Sequence, residues 1–289
     1  METSEVIKRV RQVEIKTKGL SQNIFAGQYH TAFKGRGMAF SEVREYQYGD
    51  DIRNIDWNVT ARFNHPYIKI FEEERELTVM LLIDVSGSRE FGSVDKTKKN
   101  IITEVAATLA FSAIQNNDKI GVLFFSDRIE KFIPPQKGKK HILHIIRELI
   151  DLQPKSRKTD ISMVLKYFSN AIKKKCTAFI LSDFIDTNDF EQAMLLANKK
   201  HDLVALQIYD KRETELPNVG LLKIKDAETG EIVLVDSSNK AIRDLYQSVW
   251  NKKQYKLNQV FNRCRVDNVS IDTTEDYVKS LLKLFRLRS

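Results

Sequence analysis

Thr78-Val79-Met80-Leu81-Leu82-Ile83-Asp84-Val85-Ser86-Gly87-Ser88 is the stretch that decides the fold. An unbroken aliphatic run ending in an acid and two serines at alternate positions predicts a strand buried on both faces, with oxygen ligands at its carboxyl end. Such a strand needs helices on either side, so the flanking sequence is expected to supply them.

It does so by alternation. Residues 94–115 are Ala-rich and carry Ile101, Val105, Leu109 and Ile114 at helical intervals, which predicts a helix packed close to a sheet. A second buried strand is expected within 118–126, and a short third one over 129–133, stopped by Pro134-Pro135. Helices are then expected over 139–151, 161–175 and 189–200, with strands over 176–182 and 201–209. The segments 221–225 and 231–235, joined by Asp226-Ala227-Glu228-Thr229-Gly230, read as a hairpin. Helices over 240–262 and 275–287 flank a last strand near 266–271. Repeated strand and helix alternation gives an α/β class with a doubly wound, mainly parallel sheet, helices on both faces and an added β-hairpin.

The main domain is placed at 78–289, and residues 1–77 form an amino-terminal arm expected to pack on it. The arm opens with a helix over 5–18, built on Val6, Val10, Val13 and Ile15 and stopped by Gly19. Residues 33–62 set Arg36, Arg44, Arg53 and Arg62 against Glu42, Glu45, Asp50, Asp51 and Asp56, with Tyr46, Tyr48 and Trp57 between them. That mixture is not a core strand. An arm clamped on the main domain by bidentate arginine to carboxylate pairs, with aromatic anchors giving buried area, is one reading, and a partner surface or a second site is the other.

The 289 residues, 42% hydrophobic and 30% charged, describe an ordinary globular chain. No segment approaches the roughly 18 apolar residues of a membrane span, and Met-Glu-Thr-Ser-Glu lacks a secretion signal, so a cytoplasmic address is expected. Cys176 and Cys264 are too isolated for a disulfide framework or zinc cluster. His141 and His144 lack a His-Glu-x-x-His pattern and read as surface residues. The net charge of +8 is spread over several helices, so a solvated basic surface or an acidic protein partner is preferred to nucleic acid.

Chemistry gathers where strands end, because ligands of open α/β sheets bind beyond the carboxyl ends of the strands. Asp84, Ser86, Ser88 and Asp183 would converge there. Carboxylates and hydroxyls form a hard-oxygen donor set, suited to Mg²⁺ or Mn²⁺ rather than zinc.

Asp84-Val85-Ser86-Gly87-Ser88, with Thr159 in Lys-Thr-Asp and Asp183 in Ser-Asp-Phe, resembles the metal-ion-dependent adhesion site of von Willebrand factor A domains. Lys34-Gly35-Arg36-Gly37, the run Gly49-Asp50-Asp51-Ile52-Arg53-Asn54-Ile55-Asp56-Trp57 and Ser182-Asp183-Phe184 resemble a bacterial von Willebrand factor A-like family of unknown function. Genes of that family commonly neighbour MoxR-type AAA+ ATPases. The resemblance implies that Ser86 and Ser88 bind the ion through their hydroxyls, that Asp84 and Asp183 act directly or through water, and that Thr159 couples or uncouples with the state of the site. Two departures stand out: Ser156-Arg157-Lys158 precede Thr159 in place of glycines, and Phe184 follows Asp183 in place of glycine.

The expected function is a non-enzymatic, metal-dependent interaction module that presents Mg²⁺ or Mn²⁺ to an acidic side chain of a partner, a MoxR-type AAA+ ATPase or its client. A metal-dependent, phosphatase-like hydrolase and a polyanion binder are the alternatives. Against the hydrolase, the chain has no Gly-x-x-x-x-Gly-Lys-Ser/Thr loop, no Gly-x-Ser-x-Gly elbow and no second carboxylate two residues after Asp84.

Overall fold

Strand β3 (Thr78–Asp84) is central because residues 79–83 are fully buried, which only a strand covered on both faces achieves. The computed structural model describes residues 39–72, 77–92, 97–225 and 230–288, together with Gln12, Glu14 and Thr17. Most of the expected helix over 5–18 lies outside the described residues, as do Lys34-Gly35-Arg36-Gly37, residues 73–76, and 94–96 and 226–229.

Around β3 the sheet runs β10 (Asp267–Asp272), β7 (Asp202–Tyr209), β6 (Thr177–Ser182), β3, β4 (Lys119–Phe125) and β5 (Ile129–Gln136). Every neighbouring pair is parallel except β4 and β5. The chain moves outward from β3 to β4 on one side and to β6 and β7 on the other. Right-handed crossovers in opposite directions place helices on opposite faces, which makes the sheet doubly wound. Helix α2 (Lys98–Gln115) follows β3, α3 (Lys139–Asp151) packs with it, and Thr108 Oγ1 of α2 lies 3.4 Å from the Tyr277 hydroxyl of α8 (Tyr277–Arg288).

On the other face α4 (Ile161–Ala171), α5 (Glu191–Lys200) and α7 (Lys240–Cys264) bury one cluster with Met80, Leu82, Ala178, Ile180 and Ala205. Alternate residues of each strand serve that cluster, as the two-residue period of a pleated strand requires. Each fully buried Leu, Ile or Val contributes about 1.5–3 kcal/mol relative to exposure.

One expectation is corrected. Pro134-Pro135 does not end the third strand, which continues to Gln136. β5 is an edge strand, antiparallel to β4 with its register shifted between the Ile120 and Val122 pairings, and proline is tolerated where no ladder hydrogen bond is demanded. Gly121 permits the approach: a Cβ there would lie 2.8 Å from Pro135 N and 2.9 Å from Ile133 O. The one-turn helix α6 (Lys211–Thr214) follows β7, and β8 (Leu221–Lys225) pairs with β9 (Ile232–Asp236) as the expected hairpin.

The chain divides into two compact units: Lys34–Leu77, and Thr78–Ser289 with Met1–Phe33. In the smaller unit β1 (Ala39–Glu45) pairs antiparallel with β2 (Tyr67–Glu72), and α1 (Trp57–Phe63) lies between them in sequence. The acids of its Gly-Asp-Asp to Asp-Trp run have local duties. Asp50 takes a bidentate pair from Arg44 at 2.9 and 2.8 Å and accepts from Gln47 N at 2.7 Å. Asp51 caps the short turn at Ile52–Asn54, and Asp56 caps α1 by accepting from Asn58 N and Val59 N at 3.0 and 3.3 Å. Gly49, at φ 105°, supplies a turn that an L side chain resists. Of the three expected aromatic anchors, Tyr48 and Trp57 are exposed and Tyr46 is half-buried.

Candidate metal centre

β3 ends where Val85 N donates to Phe125 O of β4 at 2.8 Å, and the chain then turns through Gly87–Glu90. The Asp84 carboxylate accepts from Ser86 N at 2.9 Å through Oδ1 and from the Ser182 hydroxyl at 2.7 Å through Oδ2. Ser86 Oγ and Ser88 Oγ stand 3.2 Å apart; Ser86 is buried and Ser88 half-buried, so the site opens at Ser88. Asp183 follows β6 directly, and its Oδ1 accepts from Ile185 N at 3.1 Å.

The loop with Thr159 is drawn in by its backbone: Gly87 N donates to Arg157 O at 3.0 Å, and Asp160 N donates to Ser126 O at 3.2 Å. Asp160 then caps α4 by accepting from Met163 N at 2.8 Å. These bonds join three loops without the glycines usual before the threonine. The topology thus brings Asp84, Ser86 and Ser88, Thr159 and Asp183 to the carboxyl end of adjacent strands.

Phe184 occupies the left-handed region at φ 57°, the conformation glycine adopts readily. Its ring compensates by packing edge-on to Phe261 at 5.1 Å and against Phe190 at 6.3 Å. The Phe184 amide donates to Ser182 Oγ at 3.0 Å, so one hydroxyl links the turn to Asp84.

Burial pushes the Asp84 carboxyl up to about 6, and the neighbouring Asp183 charge adds to the rise. A buried carboxylate raised in this way is stabilised by a cation close to it. The Thr159 hydroxyl is buried and has no hydrogen-bond partner among the described residues. An orphaned hydroxyl, a close serine pair and two carboxylates fit a hard divalent cation such as Mg²⁺ or Mn²⁺. Among the described residues no group of three or more His, Cys, Asp or Glu forms a metal cluster, so a site here depends on its hydroxyls.

Sequence reasoning missed Lys98. Its ammonium lies 2.9 Å from Asp183 Oδ2 and 2.5 Å from Glu213 Oε1, with a side chain 2% exposed. Burial works against the charge, but the carboxylates of Asp183 and Glu213 outweigh it and hold the Lys98 pKa above the ordinary lysine value. One signal was available: Lys98, Ile101, Val105 and Leu109 share a helical face, and all four are buried. Arg89, also missed, is buried and donates to Leu152 O at 2.6 Å.

A cleft of about 370 Å³ opens beside Asp183, between the 183–190 loop and α7, lined by Ile185, Trp250, Lys253, Leu257 and Val260 among others. Elsewhere, Cys176 Sγ lies 3.3 Å from His201 Nδ1. Burial pushes the thiol up to about 12 and the imidazole down to about 4, so the pair is neutral and holds no thiolate. His141 is a structural residue, with Nε2 2.8 Å from Ile120 O.

Fold and site together define a doubly wound α/β domain with hydroxyl and carboxylate groups at the end of its central strand. The chain belongs to the family described as Protein of unknown function DUF58, whose model matches residues 42–256. It is similar to the uncharacterized protein Rv1480 of Mycobacterium tuberculosis, 25% identical over 281 residues, which cover 96% of this chain and 88% of that protein. A 109-residue stretch is 29% identical to the uncharacterized protein YeaD of Bacillus subtilis, covering 38% of this chain and 25% of that one. Among solved structures, the conserved hypothetical protein BatB of Bacteroides thetaiotaomicron matches 73% of this chain and 98% of its own, with a TM-score of 0.50 and 12% identity. That likeness extends to the fold alone.

Proposed function

We propose that the protein is a non-enzymatic interaction module in which Asp84, Ser86, Ser88, Thr159 and Asp183 hold Mg²⁺ or Mn²⁺ for an acidic side chain of a partner protein. The observation that carries this reading is the buried Thr159 hydroxyl, left without a hydrogen bond among the described residues, in a loop whose backbone is bonded to Gly87 between the two serines. When bound, the ion supplies a coordination position that a carboxylate from outside can fill. The chain's own groups do the rest. Ser182 and the Ser86 amide orient Asp84, the Ile185 amide orients Asp183, and the half-buried Ser88 marks the side from which a partner approaches.

The partner we propose is a MoxR-type AAA+ ATPase or its client, on the strength of the gene neighbourhood common to the family that the motifs resemble. No helix among the described residues is long and apolar enough to cross a membrane. The test is a pull-down with the chain as bait and the MoxR-type ATPase encoded nearest its gene as prey, in Mg²⁺ and in EDTA. Capture in Mg²⁺ that is lost in EDTA and in Asp84→Ala is the expected result. Equal capture by all three would remove the metal from the interaction.

A further inference from the structure

Lys98 is a costly residue at its position. It is the first residue of α2, where the positive end of the helix disfavours a cation, and its side chain is 2% exposed. Nothing in helix formation asks for it there. Two carboxylates from other parts of the chain meet its ammonium: Asp183, directly after β6, and Glu213, in the turn after β7.

Glu213 is itself fixed. Its Oε2 accepts from Asp210 N at 3.0 Å within a capping box, and Asp210 Oδ2 accepts from the Thr273 hydroxyl at 2.7 Å. One oxygen of Glu213 is therefore held by the backbone while the other takes the ammonium. Asp183 is engaged at both oxygens as well, Oδ1 by Ile185 N and Oδ2 by Lys98.

From this geometry we infer that Lys98 is a built-in counter-ion of the metal centre, which holds Asp183 by its charge and sets the affinity for a divalent ion, with Glu213 anchoring the ammonium. The inference rests on the metal reading proposed above. Asp183 is shared between the lysine and the ion, so the ammonium weakens metal binding by repulsion and by occupying a ligand oxygen. Glu213 draws part of that charge away from Asp183 and moderates the effect.

The test is calorimetric titration of Mn²⁺ into the wild-type chain, Lys98→Met, Glu213→Gln and the double variant, with thermal melting in Mn²⁺ and in EDTA. The double variant removes one positive and one negative charge together, so it remains informative if Lys98→Met alone fails to fold. It is expected to bind Mn²⁺ about 10–100-fold more tightly than wild type, the scale on which groups around metal ligands act. Glu213→Gln leaves the ammonium to Asp183 alone and is expected to bind about tenfold more weakly. Mn²⁺ should raise the melting temperature of the double variant more than that of wild type, which a purely structural ion pair would not produce. Binding by the double variant with none in wild type also supports the inference.

Affinities within roughly twofold of wild type in every variant, with wild type binding, would overturn the Lys98 role and leave the metal reading standing. No binding by any of the four chains would overturn both.

Discussion

The Ser182 hydroxyl donates to Asp84 Oδ2 at 2.7 Å while accepting from the Phe184 amide at 3.0 Å. A single side chain therefore ties the end of β6 to the end of β3 and fixes the turn that follows Asp183. Ser182→Ala would leave a buried carboxylate oxygen and a buried amide without this partner. The expected loss is about 1–3 kcal/mol in denaturant unfolding. Mg²⁺ affinity should fall about 10–100-fold in calorimetry, since Asp84 loses its orienting bond. Unchanged affinity would show that Ser182 serves the fold alone.

The raised Asp84 carboxyl predicts a pH dependence with a definite sign. Folded Asp84 binds its proton near pH 6 and an unfolded aspartate near the ordinary 3.8, so between these values the folded state holds more protons. In EDTA this group therefore adds stability as pH falls through 6 toward 4 and withdraws it as pH rises. Asp84→Asn should remove that dependence and melt higher than wild type in EDTA at pH 7.5, because a neutral amide replaces a repelled carboxylate. Melting curves at several pH values for the two chains decide the matter.

Phe184 sets a backbone cost against a packing gain. A non-glycine residue in the left-handed region loses roughly 1–2 kcal/mol. Truncating a buried Phe loses about 3–5 kcal/mol. Phe184→Gly is thus expected to lower stability by a few kcal/mol in chemical denaturation, in spite of its relaxed backbone. An increase in stability would mean that the ring's contacts with Phe261 and Phe190 are weak.

At Gly121 the expectation rests on space. A Cβ there meets Met80 Sδ at 2.7 Å and two backbone atoms of β5 at 2.8 and 2.9 Å, which cannot all move aside cheaply. Gly121→Ala should destabilise the chain by about 1–3 kcal/mol, the range of overpacked cores, as read by thermal or urea unfolding.

Most of the main sheet was legible because buried strands and amphipathic helices carry different periods. Residues 79–83, 120–125 and 178–181 are continuous apolar runs, and α3 spans the Lys139–Asp151 expected from its isoleucines. The continuation of β5 through Pro134-Pro135 was hidden because proline's penalty depends on whether a strand lies at an edge, a property of the assembled sheet. Asp84, Ser86, Ser88 and Asp183 could be placed because they follow strand ends. The roles of Lys98, Glu213 and Ser182 were hidden, because their partners stand 85, 115 and 98 residues away in sequence, and only the helical face of Lys98 hinted at burial. Lys98 also lies in a basic stretch, Lys96-Thr97-Lys98-Lys99, that reads as solvated surface. Tyr48 and Trp57 misled for the opposite reason: aromatic residues among ion pairs suggest burial, and both are exposed.

The central claim is that Asp84, Ser86, Ser88, Thr159 and Asp183 together bind a divalent cation. Titration calorimetry of Mg²⁺ and Mn²⁺ into the purified chain, beside Asp84→Ala and Thr159→Val, tests it most directly. Saturable binding in wild type, abolished in Asp84→Ala and weakened in Thr159→Val with folding intact by circular dichroism, is the predicted result. Absence of binding both in wild type and in the Lys98→Met, Glu213→Gln double variant, or binding that persists in Asp84→Ala, would contradict it.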